Sequence, residues 1–203
     1  METLTKEIQD KITPSLALGM LEAGNQRFLE KKQANRDLND QVAVTGGGQY
    51  PFAVVLSCID SRVPVEHVFD LGIGDVFSAR VAGNVVNEDV LGSIEYACKV
   101  AGSKLLVVMG HTKCGAVTSA CKGVELGNIT ALLSKIKPAV EAIDNPSGEV
   151  SAEFIETVNE KNIEMSIERI RQESAILSEL EADGSIKIVG AVYDVTSGKV
   201  KFL

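Results

Sequence analysis

The sequence predicts an α/β protein: a mostly parallel central β-sheet flanked by helices, with an N-terminal helical arm and a C-terminal β-hairpin. Three observations carry that expectation. Residues 52–56 and 105–109 are apolar at every position, as strands covered on both faces are. The stretch between them includes a segment with a helical apolar period, so strand and helix alternate and the crossovers should be right-handed. Near the end, residues 186–193 and 200–202 read as two strands joined at Thr196-Ser197-Gly198.

Taken in order, residues 15–33 form a helix, with Ser15 after Pro14 as its cap and Leu18, Leu21, Asn25, Phe28 and Leu29 near one face. Gly46-Gly47-Gly48 breaks the chain before the first central strand, 52–56. A second, alternating strand spans 76–81. Asn87-Glu88-Asp89 then caps a helix whose Val90, Leu91, Ile94, Ala97, Cys98 and Ala101 keep the period up to Gly102. The third strand is 105–109, helices follow over 128–143 and 151–182, and the hairpin closes the chain. Neither a repeat nor a low-complexity linker interrupts it, so one domain is expected, with 1–48 as the arm and 49–203 as the α/β core.

The 203 residues are 45% hydrophobic and 24% charged, the composition of an ordinary globule rather than a disordered chain. A net charge of −8, with no local basic cluster, opposes nucleic acid and anionic membranes as partners. The acidic start, Met1-Glu2-Thr3, lacks the features of a secretory leader, and no apolar run is long enough to span a bilayer. A cytoplasmic location is expected, where the four cysteines are read as ligands, nucleophiles or small core residues before disulfides.

Two of the buried strands run into chemically active segments, Cys58-Ile59-Asp60-Ser61-Arg62 and Gly110-His111-Thr112-Lys113-Cys114. Open parallel sheets place their sites outside the carboxyl ends of strands. If these two strands are neighbours, Cys58, His111 and Cys114 converge, and two thiolates with one imidazole are a preferred zinc set. Three protein ligands leave one position for water or a nearby carboxylate, which marks a catalytic rather than a structural metal. Two thiolates also cancel the ion's charge, so a further group must orient its hydroxide. Asp60 and Arg62 fit that need: in an extended segment they share a face with Cys58, and Arg62 keeps Asp60 ionised and therefore an acceptor only.

The paired motifs Cys-x-Asp-Ser-Arg and Gly-His-x-x-Cys-Gly resemble the β-class carbonic anhydrase family. Leu-Glu-Ala-Gly-Asn-Gln-Arg-Phe at 21–28 is similar to that family's N-terminal arm, and Gly-Ala-Val-Tyr-Asp-Val at 190–195 to its last core strand. The resemblance implies reversible hydration of carbon dioxide to bicarbonate by a zinc-bound hydroxide. It implies one zinc per chain on Cys58, His111 and Cys114, with Asp60 and Arg62 as the catalytic dyad. It also implies a pocket lined by Gln49, Phe77, Tyr96 and the backbone N–H of Gly115, partly from a partner subunit, in a homodimer or homotetramer. Some bacterial members form a regulated subtype in which a Trp three residues before the first ligand helps bind bicarbonate and an Asp replaces water on the metal. Although Arg80 matches the arginine of that site, the Trp position is Val55 and the chain has no Trp, so the unregulated subtype is expected, with Asp60 held by Arg62.

Blander readings stand beside these. Cys58 and Cys114 could be a disulfide or core residues, and Asp60 and Arg62 a surface ion pair. Cys98 and Cys121 read as buried hydrophobes, His67 as a solvated or capping imidazole, and Gly72-Ile73-Gly74-Asp75 as a turn rather than a nucleotide loop. Two other functions share the motifs: hydrolysis of carbonyl sulfide or carbon disulfide on the same fold, and a non-catalytic structural zinc module.

Overall fold

The computed structural model describes residues 3–203. Helices α1 (Lys6–Lys11), α2 (Pro14–Leu29) and α3 (Leu38–Thr45) precede strand β1 (Ala53–Ser57). Next come α4 (Val65–Val68), β2 (Val76–Arg80), α5 (Glu88–Glu95), β3 (Leu105–His111) and α6 (Gly115–Cys121). The chain ends with α7 (Gly127–Leu133), α8 (Lys137–Glu141), α9 (Ala152–Glu173), α10 (Ala175–Ala182), β4 (Lys187–Tyr193) and β5 (Val200–Phe202). Among the described residues these build a five-stranded sheet in the order β2-β1-β3-β4-β5. All neighbours are parallel except β4 and β5, the expected terminal hairpin. The strands β1 and β3 are adjacent, with Ser57 level with Met109, so both motifs leave the sheet side by side.

Alternate residues of the central strands feed two cores. Ala53, Val55, Val107 and Met109 pack under α2 and α4 with Leu21, Val68 and Phe69. Val54, Leu56, Leu106 and Val108 face α5, α9 and α10 through Ile94, Ile163, Ile170 and Leu177. Covering on both sides explains the unbroken apolar runs, and each large side chain so buried contributes about 2 kcal/mol. A third cluster, with Val117, Ile136 and Val158, encloses Cys58 and Cys114 beyond the strand ends.

Several expected elements are redrawn. The helix expected over 15–33 begins at Pro14, capped by Thr13, whose hydroxyl accepts the Leu16 N–H, and it stops at Leu29 because Lys31 turns to φ +57°. The span 128–143 is two helices: Pro138 has no N–H to give Ser134 and its ring crowds that carbonyl. The span 151–182 breaks at Ser174, which is extended and caps α10 through the Leu177 N–H. The helix from Asn87 keeps its cap, but after Glu95 it widens into a π-turn over Tyr96–Val100, closed by the Ala101 N–H on Tyr96 O. Strand β3 runs on to His111, so the first histidine-motif residues are sheet, not loop.

Candidate metal centre

Cys58 is the residue after β1, His111 the last of β3, and Cys114 the residue before α6. Their ligand atoms lie within 4.8 Å of one another and all three residues are buried. Neighbouring parallel strands bring them together, and the path from His111 to Cys114 is folded back by Lys113, a non-glycine residue at φ +57°. That left-handed turn costs roughly 1–2 kcal/mol for an L-residue, so something must hold it. Thr112 is fixed to β4, its N–H donating to Tyr193 O and its hydroxyl accepting the Val195 N–H. The Lys113 N–H donates to Glu156 Oε1 of α9 at 2.8 Å. Gly110 has no room for a side chain: a Cβ there would meet Ile163 Cδ1 at 2.7 Å and Asn159 Oδ1 at 2.8 Å.

The donors are prepared for a cation. His111 Nδ1 lies 2.9 Å from Thr112 O. A carbonyl only accepts, so Nδ1 carries the hydrogen and Nε2 presents its lone pair to the cluster. That Nε2 is buried and has no hydrogen-bond partner among the described residues. Cys58 is held well below the ordinary thiol range, mainly because Cys114 donates to it, with His111 and the Gly83 N–H adding to the effect against burial. Cys114 is pushed up in turn by giving that hydrogen bond and by burial. Burial pulls His111 down, yet the adjacent Cys58 outweighs it and the net shift is upward. The Gly83 N–H reaches Cys58 Sγ at 3.3 Å, and Asn162 of α9 holds the Gly83 carbonyl. An orphaned imidazole nitrogen facing two sulfurs is a soft, electron-rich set that matches zinc.

At the rim, Arg62 grips Asp60 twice, Nε to Oδ1 at 2.9 Å and Nη2 to Oδ2 at 2.7 Å. The Arg62 N–H also donates to Oδ1. With the guanidinium as the main cause, the Asp60 carboxyl falls to about 2. Asp60 Oδ2 is 3.9 Å from His111 Nε2, so the carboxylate faces the cluster while remaining paired to arginine. Arg80, at the end of β2, anchors the same segment: its Nε donates to Cys58 O and its Nη2 to Asp60 O.

The remaining sequence-predicted residues are more scattered. Phe77 and Tyr96 form an edge-to-face pair with centroids 6.3 Å apart, in an open groove beside β2 that includes Arg80 but none of the three donors. Gln49 is exposed before β1, and Gly115 is exposed at the start of α6, next to Cys114. Cys98 and Cys121 are free thiols, Cys98 buried and pushed up to about 12 by that burial, and His67 is exposed on α4. The sequence reading missed Gly83, Asn162 and Glu156. Gly83 follows β2 in an Ala-Gly-Asn turn that could have flagged a tight backbone approach, whereas nothing local marks the two α9 residues.

A family model described as carbonic anhydrase matches residues 53–200, which include both motifs. "Carbonic anhydrase 2" of Mycobacterium tuberculosis is 33% identical over 92% of this chain and 91% of its own. A Coccomyxa β-carbonic anhydrase solved in complex with acetazolamide superimposes with a TM-score of 0.72 at 26% identity, covering 91% of this chain and 85% of that one. A carbon disulfide hydrolase of Acidithiobacillus thiooxidans is 32% identical, but over only 37% of this chain and 42% of its own. A buried Cys-His-Cys cluster at the ends of parallel strands, a carboxylate-arginine pair beside it and this full-length likeness agree: the chain belongs to the β-class of the carbonic anhydrase family.

Proposed function

We propose that this chain hydrates carbon dioxide reversibly to bicarbonate and a proton, using one zinc ion per chain held by Cys58, His111 and Cys114. The observation that carries the reading is the unpartnered, buried His111 Nε2 facing two sulfurs, with the ionised Asp60 carboxylate 3.9 Å away. Bound there, zinc supplies a nucleophile at neutral pH by acidifying water. The protein's part is orientation. Asp60, held on its outer side by Arg62, would accept a hydrogen bond from the single O–H of the nucleophile and so leave an oxygen lone pair free to face the substrate carbon. Arg62 keeps that carboxylate from taking up a proton, and Arg80 fixes the backbone carrying Cys58 and Asp60.

Gln49, Phe77, Tyr96 and Gly115 line the substrate approach in this reading, completed by a second subunit of a homodimer or homotetramer. Exposed apolar side chains support the assembly: Leu16, Leu38, Val42 and Val44 on the arm (1–48), and Tyr96 and Val100 on the core (49–203), are each at least half exposed. The arm itself docks on its own core through the fully buried Ala17 and Leu21. The assigned substrate is a small molecule, with no nucleic acid or membrane partner and a cytoplasmic location; no helix among the described residues is long and apolar enough to cross a membrane. The Asp60–Arg62 pairing and Val55 in the Trp position favour the unregulated subtype. The shorter match to a carbon disulfide hydrolase keeps sulfur analogues as comparison substrates.

Stopped-flow hydration of carbon dioxide by metal-analysed protein tests the proposal, with carbonyl sulfide and carbon disulfide assayed alongside. Fast hydration with about one zinc per chain, lost in Cys58→Ser, is expected. Zinc-loaded protein without hydratase activity would refute it, and preference for a sulfur gas would reassign the substrate.

A further inference from the structure

The left-handed turn at Lys113 sets the geometry between His111 and Cys114, and it is gripped from two sides. Its N–H donates to Glu156 Oε1 at 2.8 Å, and its carbonyl accepts from Arg62 Nη2 at 3.4 Å. Lysine has no intrinsic preference for φ +57°, so the bonds made to this backbone select the conformation. Glu156 is well placed to act as an anchor. Its neighbours on α9, Ile155 and Val158, pack in the same cluster as Cys58 and Cys114, which fixes the helix against the ligand loop. The carboxylate is half-buried and lies 43 residues from its partner in sequence. It therefore ties two distant elements together rather than capping its own helix.

We propose that Glu156 is a positioning residue for the metal ligands: by accepting the Lys113 N–H it holds the left-handed turn that aims Cys114 at the site and presents the Lys113 carbonyl to Arg62. This rests on the zinc reading above. Through Arg62 the same anchor reaches Asp60, so one carboxylate on α9 braces both a ligand and the orienting pair. Partners that orient metal ligands typically change metal affinity or activity about 10- to 100-fold when removed.

The test uses the full chain as Glu156→Ala, Glu156→Gln and the double variant Glu156→Ala/Lys113→Gly. Zinc dissociation constants by chelator competition, kcat and KM for hydration, and exchange of the Lys113 amide by NMR are measured on each. Glu156→Ala should weaken zinc binding and lower kcat, each about tenfold, with KM within about twofold, and should speed Lys113 amide exchange. Glu156→Gln keeps an acceptor oxygen and should recover both. The double variant should also recover them, because glycine enters the left-handed region without an anchor. Glu156→Ala with wild-type zinc affinity and kcat would overturn the proposal, as would a folded double variant that recovers neither. A zinc-loaded wild type lacking hydratase activity would sink the proposed function instead, while the zinc affinities and amide exchange would still decide the role of Glu156.

Discussion

Asp60 and Arg62 meet in a two-point pair, and the Asp60 oxygen that accepts from Arg62 Nη2 is the one 3.9 Å from His111 Nε2. The Arg62 side chain is 49% exposed. At that exposure an ion pair adds little to folding stability. In the proposed function its worth is directional: a carboxylate pinned on one side would have one face left for the nucleophile.

The first prediction follows from that separation of roles. Asp60→Ala and Arg62→Ala should each lower kcat by about 100-fold, the scale of losing a group that positions a proton. Zinc content should stay near one per chain, and the unfolding free energy should change by less than about 1 kcal/mol. Metal analysis, thermal unfolding and stopped-flow kinetics on the same preparations check it; loss of zinc with the activity would make the pair structural.

A second prediction concerns Gly83. It sits at φ +67°, and a Cβ there would lie 2.6 Å from Ile136 Cδ1 and 3.2 Å from Ala116 Cβ. Gly83→Ala should therefore cost about 2 kcal/mol or more and shift the N–H that contacts Cys58 Sγ. A lower unfolding midpoint and faster zinc loss to chelator are expected. An alanine variant matching wild type in both would show that this backbone contact does not matter.

Which parts of the molecule were legible in the sequence follows from how local each signal is. The convergence of Cys58, His111 and Cys114 could be read because Cys58 and His111 each extend a strand buried on both faces, and all-apolar runs announce such strands. The Asp60–Arg62 pair could be read from alternation along one short segment. Helix α6 escaped because Gly115–Cys121 is built from Gly, Ala, Val, Thr, Ser and Cys, with little apolar period to see. Ser174 and Pro138 were visible as residues, but their effect depends on whether the helix around them continues, which tertiary contacts decide. The ties from Glu156 to Lys113 and from Asn162 to Gly83 span 43 and 79 residues, and no single-chain pattern encodes them.

A third prediction tests the buried ion cluster beneath the arm. Asp70 accepts from the side chains of Arg27 and Arg36 and from the Ala34 N–H. Burial pushes its carboxyl up, but the two arginines outweigh it and the net shift is below the ordinary 3.8. A lowered folded value means its stabilisation is complete above that unfolded value and is lost as pH falls through the folded one. Asp70→Asn keeps a residue that tolerates φ +47° while removing the charge. It should cost about 3 kcal/mol at neutral pH. The gap to wild type should narrow in denaturant titrations carried below about pH 4; a gap independent of pH would refute the charge-based account.

A fourth prediction addresses how α2 docks. A Cβ on Gly24 would fall 1.9 Å from the backbone oxygen of Phe69, and no rotamer change can relieve that contact. Gly24→Ala must displace the helix, disturbing the buried Leu21 and the Asn25 bonds to Val68 O and Gly198 O. A loss of about 3 kcal/mol or more is expected by denaturant unfolding. Wild-type stability would show that α2 is not fixed where the structure places it.

The most direct test of the central claim is X-ray absorption at the zinc edge on protein purified without chelator, at neutral pH. The account predicts stoichiometric zinc with two sulfur neighbours at about 2.3 Å and two lighter ones at about 2.0–2.2 Å, one of them exchangeable with added anions. Metal-free protein, a shell of four protein donors that no anion perturbs, or a spectrum unchanged by Cys58→Ser would contradict it.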